Sequence, residues 1–147
     1  MKKILRIFEK IKEPKIAYAH CDVPCGVYET DTMKHGAQTI INLVRKINAR
    51  DMPDQNDKDA IIDWQNFVSR SIAVKEEWAH KVKTEALILW TDHFKEEHLE
   101  KVPDLHTKIW KLTKLCSQVK RSVSEELALE LQKQVAELSE IFEHSKH

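Results

Sequence analysis

Glycine and proline are scarce in this chain, with two glycines and four prolines among 147 residues. Alanine, leucine, glutamate and lysine, which helices favour, are by contrast plentiful. The composition therefore favours an all-α fold, and the length fits one domain with a modest hydrophobic core.

Long apolar runs and an excess of either charge are also lacking. No stretch approaches the roughly 18–20 apolar residues that a membrane-spanning helix requires, so no membrane span is predicted. Lys and Arg together number 24, which equals the number of Asp and Glu. The sequence thus has neither the basic field expected of a nucleic-acid-binding protein nor an acidic field that would select a cationic partner.

Cysteine occurs three times, so the thiols cannot all pair within the chain, and a disulfide scaffold is excluded. Cys21 and Cys25 lie close together near the start. Cys116 stands alone within a helical pattern and is predicted to fill a buried apolar position. Cysteines that cannot all be paired fit a compartment that keeps thiols reduced. This favours a cytoplasmic location.

Residues 1–19 read MKKILRIFEKIKEPKIAYA, a basic and weakly amphipathic segment. A secretory signal needs about 7–15 uninterrupted apolar residues, and charged residues such as Arg6 and Glu9 break this stretch. Residues 17–19 do look like a signal-cleavage site, which leaves export as an alternative. The favoured interpretation is a cytoplasmic pro-segment that a dedicated protease removes.

Hydrophobic periodicity predicts four helices in the rest of the chain. Apolar residues recur at three- and four-residue spacing from about Thr32, along residues 57–90, after Pro103, and after residues 122–125, which have capping-box spacing. The second stretch is long enough that we expect a bend or break in it, and residues 93–102 are predicted to form a polar connection. Four antiparallel amphipathic helices joined by short turns give a four-helix bundle.

The densest group of metal-ligand types lies in residues 20–25, within a segment (residues 20–31) that we expect to form an irregular hook. His20 and Cys21 offer three donors within two residues: an imidazole, a backbone amide nitrogen and a thiolate. Cys25 can bring back a second thiolate if the chain turns, and the proline and glycine beside it favour a turn. A free amine on His20 would be a further donor, but only after cleavage of the preceding peptide bond.

Spacing alone leaves the identity of this segment open. Two cysteines four residues apart can be ordinary thiols or can form a local disulfide. Zinc is another candidate, although its usual second ligand pair is missing, because Cys116 has no neighbouring cysteine or suitably spaced pair of histidines. Square-planar nitrogen and sulfur donors would instead suit Ni(II) or Cu(II).

Residues 20–28, HCDVPCGVY, closely resemble the signature H-C-D-x-P-C-G-V-Y that begins mature nickel superoxide dismutases. Residues 89–95, LWTDHFK, and residues 100–106, EKVPDLH, are similar to two later patterns of that family, L-W-x-D-[YF]-F-K and E-K-[YF]-P-x-L-H. The nine-residue run is the most specific part, because this order of donors and turn residues is uncommon.

The resemblance implies proteolytic removal of residues 1–19, which frees the amine of His20. Nickel would then be bound in a plane by the His20 amine, the Cys21 amide nitrogen, and the thiolates of Cys21 and Cys25. The His20 imidazole would join axially in the oxidised state. A processing protease is therefore an expected partner, and the uncut precursor is predicted to be inactive.

The same resemblance implies an enzyme that converts superoxide to oxygen and hydrogen peroxide by Ni(II)/Ni(III) cycling. Asp22 and Tyr28 would shape the path by which the small anion enters and would hydrogen-bond to it. The mature protein, residues 20–147, would comprise the hook (residues 20–31) and a helical bundle (residues 32–147), and would assemble as a homohexamer.

Three positions depart from the family pattern. The acidic residue that supports the axial imidazole falls on Gly36 when counted from the hook, and an accompanying Arg falls on Trp78 when counted back from Trp90. The second aromatic residue of the entrance, usually Tyr, falls on His93. The changes at Gly36 and Trp78 keep one alternative open, a non-redox nickel- or zinc-binding helical bundle that acts as a metal carrier or interaction protein.

Overall fold

The computed structural model describes residues 27–146, and within this range the chain forms five α-helices and no strand. The helices are α1 (Asp31–Asn48), α2 (Lys58–Ile88), α3 (Glu96–Lys101), α4 (Leu105–Arg121) and α5 (Glu125–Ser145). The predicted all-α class is thereby confirmed. Residues 1–26, which include the predicted pro-segment and the ligand-bearing part of the hook, lie outside the described residues.

The four long helices of the described range form the predicted bundle. α1 packs against α2 and α5, and α4 packs against the same two helices, so each long helix has two long neighbours. Short connections such as residues 122–124 join consecutive helices, as in antiparallel bundles. The shared core includes Met33, Ala37, Ile40, Ile41, Val44, Ala79, Val82, Ala86, Leu89, Leu105, Ile109, Leu112, Cys116, Val119, Ala128, Leu131, Val135, Leu138 and Phe142.

The long second helix changes geometry near its end, where it continues as a π-helical turn, Leu89–His93. The turn ends when Phe94 becomes extended, and the Phe94 backbone N–H donates to the Leu89 carbonyl at 2.9 Å. A π-helical turn is wider than an α-helical one and changes the direction of the side chains that follow it. His93, at its end, consequently meets Phe142 of α5.

The predicted polar connection, residues 93–102, contains the short helix α3. His98 closes both of its ends: Nδ1 accepts from the Lys95 backbone N–H, and the His98 carbonyl accepts from the Val102 N–H, each at 2.9 Å. A helix of six residues is too short to show a clear apolar period. Periodicity therefore did not indicate this helix within the polar connection, because local hydrogen bonds determine the conformation of these residues.

α5 has its N-cap two residues later than the capping box predicted from residues 122–125. Ser124 is the N-cap, and its Oγ accepts from the Leu127 backbone N–H at 3.2 Å. The Ser122 hydroxyl donates instead to the Gln118 carbonyl at 3.1 Å, at the end of α4. Either serine hydroxyl can accept the hydrogen bond of an N-cap. The spacing in the sequence therefore could not show which of the two serines begins the helix.

A buried lysine ties α2 to the end of α4. The Lys75 side chain is buried, and its ammonium donates to the Val119 carbonyl and, at 2.9 Å, to the Lys120 carbonyl. Carbonyls in the last turn of a helix lack partners within the helix, and the helix dipole there favours a cation. Burial lowers the pKa of Lys75. The two hydrogen bonds hold the end of α4, where the chain turns into α5, against α2.

Some large apolar side chains remain on the surface. Trp110 is 57% exposed and Ile62 is 52% exposed, whereas Trp64, Trp78 and Trp90 are half-buried. Tryptophans at helical positions are expected in a core or at an interface, and in the single chain Trp110 lies outside the core. Across residues 27–146, none of the helices has the length and apolar character needed to cross a membrane.

Candidate functional site

Tyr28 is the predicted site residue that lies within the described part of the chain. The other predicted site residues, His20, Cys21, Asp22 and Cys25, lie outside it. Tyr28 is half-buried and packs on the hydrophobic core, and its ring centroid lies 5.4 Å from that of His93. The structure thus brings together two of the three residues that the resemblance assigns to the anion entrance, Tyr28 and His93.

The segment that leads from Tyr28 into α1 is fixed to α5. Thr30 is buried, and its Oγ lies 2.6 Å from the Oγ of Ser139, 109 positions later in the chain. The Thr30 carbonyl also accepts from the Lys34 backbone N–H at 3.1 Å, which starts α1. The bundle therefore sets the position of Tyr28, two residues before Thr30.

His93 lies in a cluster of rings formed by the π-helical turn, α3 and α5. Its ring centroid is 4.7 Å from that of Phe142, 5.1 Å from that of Phe94 and 5.7 Å from that of His98, on which it stacks. Its Nε2 lies 2.7 Å from the Ser145 Oγ. Sequence reasoning identified His93 but missed His98 and Ser145, because their contacts with it depend on the π-helical turn and on the packing of the last turn of α5.

The surroundings of His93 favour an uncharged ring. Burial is the largest cause that lowers its pKa below the usual 6.5, and the charges of His98, Lys146 and Lys95 lower it further. A neutral imidazole carries one N–H donor and one nitrogen lone pair that can accept a proton. The chain therefore places a proton-binding group beside Tyr28, at the position where the family pattern has an aromatic residue.

No group of three or more metal-ligand side chains occurs among residues 27–146. Cys116 is buried in the core, as predicted, and burial raises the pKa of its thiol to about 12, so it stays protonated and cannot act as a thiolate ligand. The donors that the resemblance assigns to nickel, His20, Cys21 and Cys25, lie outside the described residues. Their nitrogen and thiolate groups fit the square-planar preference of Ni(II).

Gly36 and Trp78, two of the departures from the family pattern, lie against each other. A Cβ on Gly36 would be 3.2 Å from Trp78 Cε3 and 2.6 Å from Val82 Cγ2. The absence of a side chain at Gly36 therefore allows α1 and α2 to approach closely. The Trp78 ring also contacts Lys81, whose Nζ lies 4.6 Å from its centroid. At the two positions where counting along the sequence places the family's acid and arginine, this chain has an apolar contact between α1 and α2.

Gly36→Ala is expected to lower the stability of the bundle, although alanine is normally better than glycine in a helix by about 1 kcal/mol. The added methyl group would meet the stiff, buried side chain of Val82, and overpacking a filled core costs about 1–3 kcal/mol. Denaturant unfolding followed by circular dichroism measures the change. In the Gly36→Ala/Val82→Ala double variant the two losses should be less than additive. A net gain from Gly36→Ala alone would contradict the close approach of α1 and α2.

Comparison with known proteins gives matches over nearly the whole chain. Residues 15–146 match the family model of nickel-containing superoxide dismutase. Superoxide dismutase [Ni] from Streptomyces coelicolor is 28% identical over 141 residues, which cover 95% of this chain and 98% of that protein, and the enzyme of the same name from Streptomyces seoulensis gives the same values. A native nickel superoxide dismutase structure is 29% identical, with a TM-score of 0.73, and the match covers 87% of this chain and 100% of that one.

These matches include the helical bundle as well as the sequence of the hook. A second solved structure, with nickel ligation corresponding to the oxidised state, gives a TM-score of 0.73 at 29% identity and covers 86% of this chain and 98% of that one. The resemblance predicted from residues 20–28 is thereby confirmed, and with it the predicted nickel cofactor and enzyme class. The chain belongs to the nickel-containing superoxide dismutase family.

Proposed function

We propose that this chain, once residues 1–19 are removed, disproportionates superoxide at a nickel ion bound by the hook. Two superoxide anions and two protons give one molecule of oxygen and one of hydrogen peroxide: one anion loses an electron, and the other gains that electron and both protons. Nickel supplies the Ni(II)/Ni(III) couple through which the electron passes. The His20 amine and imidazole, the Cys21 amide nitrogen and thiolate, and the Cys25 thiolate would hold the metal.

The chemistry of this donor set favours a redox role over a carrier role. Hydrated Ni(II) is too hard to oxidise for dismutation, whereas anionic thiolates and a deprotonated amide push charge onto the metal and make the trivalent state accessible. The imidazole of His20, as a further nitrogen donor, would additionally favour the oxidised state. A metal that acts only as a Lewis acid would not require such donors.

Tyr28 and Asp22 are proposed to line the path of the anion. Tyr28 follows Cys25 by three residues, so the sequence keeps it close to a metal-binding thiolate. The bundle holds the Tyr28 ring in a half-buried position 5.4 Å from that of His93. A phenolic hydroxyl is a hydrogen-bond donor suited to a small anion. Its role is therefore to orient superoxide at the entrance.

The contact between the rings of Tyr28 and His93 is the observation that carries this proposal, because it places the last residue of the signature, Tyr28, against the bundle. The test uses protein that begins at His20. It should bind a stoichiometric amount of nickel by metal analysis and should accelerate superoxide decay in stopped-flow measurements. Full nickel occupancy without superoxide decay would instead favour the carrier alternative.

A cytoplasmic homohexamer is the proposed form of the mature protein. Trp110 and Ile62, which are 57% and 52% exposed in the single chain, are apolar side chains that subunit contacts would cover. The cytoplasm is supported by the odd number of cysteines, which does not suit a disulfide scaffold. Sedimentation velocity of the processed protein is expected to give one species with the mass of six chains. A monomer at micromolar concentration would contradict the hexamer.

A further inference from the structure

The last turn of α5 holds His93 in one tautomer. The Ser145 hydroxyl donates its proton to the Phe142 carbonyl at 2.6 Å, so its oxygen is left to act as an acceptor. The 2.7 Å contact between Ser145 Oγ and His93 Nε2 therefore requires the proton on Nε2. In the neutral ring the lone pair is then on Nδ1, and this nitrogen is the atom that can take up a further proton.

A cavity open to solvent reaches the partners of His93. Its volume is about 310 Å³, and its walls include His98 and Ser145, both of which contact His93. The other ionisable residues in its walls are Lys101, Glu137, Glu140 and His144. Since a water molecule occupies about 30 Å³ in the liquid, the cavity can hold several of them. Protons from bulk water can therefore reach the immediate neighbours of the His93 ring.

The charges around His93 disfavour a lasting positive charge on the ring. The titratable groups around it are Tyr28, His98, Lys95, Lys146 and, on its own turn, Asp92. The charges of His98, Lys146 and Lys95 all lower the pKa of His93. Asp92, the carboxylate of this set, is exposed to solvent. A proton on His93 is therefore weakly held and readily transferred, while the same cationic groups attract an approaching anion.

We propose that His93 is a proton-donating residue of the superoxide entrance, which takes up a proton from solvent at Nδ1 and passes it to the anion that is being reduced. This inference rests on the proposed function. In the reductive half of the reaction, one superoxide, one electron from nickel and two protons give hydrogen peroxide. Protonated His93 supplies one of the two protons and returns to its neutral form, and water supplies the other. The ring then regains a proton from solvent, which reaches its neighbours His98 and Ser145 through the cavity.

The first test compares the processed, nickel-loaded protein with its His93→Gln variant. The Gln amide can donate to Ser145 in place of Nε2–H, but it cannot bind a proton. In the parent protein kcat/KM should rise as the pH falls, by up to about tenfold per pH unit above the His93 pKa, and should level off below it. The variant should keep its nickel but lose this pH-dependent rise. An unchanged pH profile in a nickel-loaded His93→Gln protein would overturn the proposal.

The second test needs neither nickel nor activity, so it separates this inference from the proposed function. ¹⁵N NMR of the imidazole nitrogens, with the His93 signals assigned by their loss in His93→Gln, reports both the tautomer and the titration. The expected result is a proton on Nε2 in the neutral ring and a pKa below 6.5, with the tautomer preference weakened in Ser145→Ala. A neutral ring with its proton on Nδ1 would overturn the proposal even if the protein dismutates superoxide.

Discussion

Cys21→Ser in the processed protein is expected to abolish both nickel binding and superoxide decay. A serine hydroxyl stays protonated at neutral pH and cannot replace a thiolate as a nickel ligand. Loss of a group that only orients a metal ligand typically lowers the metal affinity or the activity by about 10–100-fold. Loss of the ligand itself should therefore lower kcat/KM by at least about 100-fold. Metal analysis and stopped-flow decay of superoxide on the same preparation measure both effects.

Cys116→Ser provides the matched control, because it makes the same chemical exchange at a thiol that lies in the core. This thiol has a pKa of about 12 and is not available to a metal. We expect nickel content and kcat/KM to be unchanged. Stability should fall by about 1 kcal/mol, because the buried hydroxyl can still donate to a backbone carbonyl of its own helix. Full nickel content in Cys21→Ser would rule out the hook as the metal site.

The uncut precursor is expected to be inactive, whereas the same polypeptide cut before His20 should be active. In the precursor the His20 nitrogen is part of a peptide bond and cannot bind nickel as an amine. Loss of this donor should lower the rate at least as much as loss of a ligand-orienting group, about 10–100-fold. The comparison requires both forms to be incubated with nickel under the same conditions, with the N-terminus of each verified by mass spectrometry.

A chain that begins at Ala19 is the matched control for this experiment. It has a free terminal amine and lacks nearly all of the pro-segment, but its amine is displaced by one residue from His20. We expect it to be as inactive as the full precursor, because the position of the amine matters and not merely its presence. High activity in either the precursor or the Ala19 form would contradict the proposed amine ligand.

The long helices could be predicted because each buries one continuous apolar stripe. The apolar residues that recur at three- and four-residue spacing along one face of α4 are buried: Leu105, Ile109, Leu112, Cys116 and Val119. The first half of α2 fits less well, since Ile61, Trp64 and Val68 are only half-buried. α2 has 31 residues, against 18 in α1 and 17 in α4, so its neighbours are too short to cover it. Periodicity shows which face is apolar, but not how much of it a neighbour covers.

In the candidate site, too, the residues that are neighbours in the sequence could be predicted, whereas the contacts that form only on folding could not. The ligands of the hook could be predicted because His20, Cys21 and Cys25 lie within six consecutive residues. The surroundings of His93 could not, because the π-helical turn, α3 and the end of α5 meet only in three dimensions. Neither His98 nor Ser145 belongs to a motif that would have indicated its contact with His93.

The contact between Gly36 and Trp78 couples these two positions across α1 and α2. A Cβ on Gly36 would lie 2.6 Å from Val82 Cγ2 and 3.2 Å from Trp78 Cε3, so any larger residue at this position requires the side chains of α2 to shift or to be smaller. An acidic residue introduced at position 36 alone would therefore push the two helices apart. Engineering of the acid and the arginine that the family pattern places here must accordingly exchange both positions, and relieve Val82, in a single step.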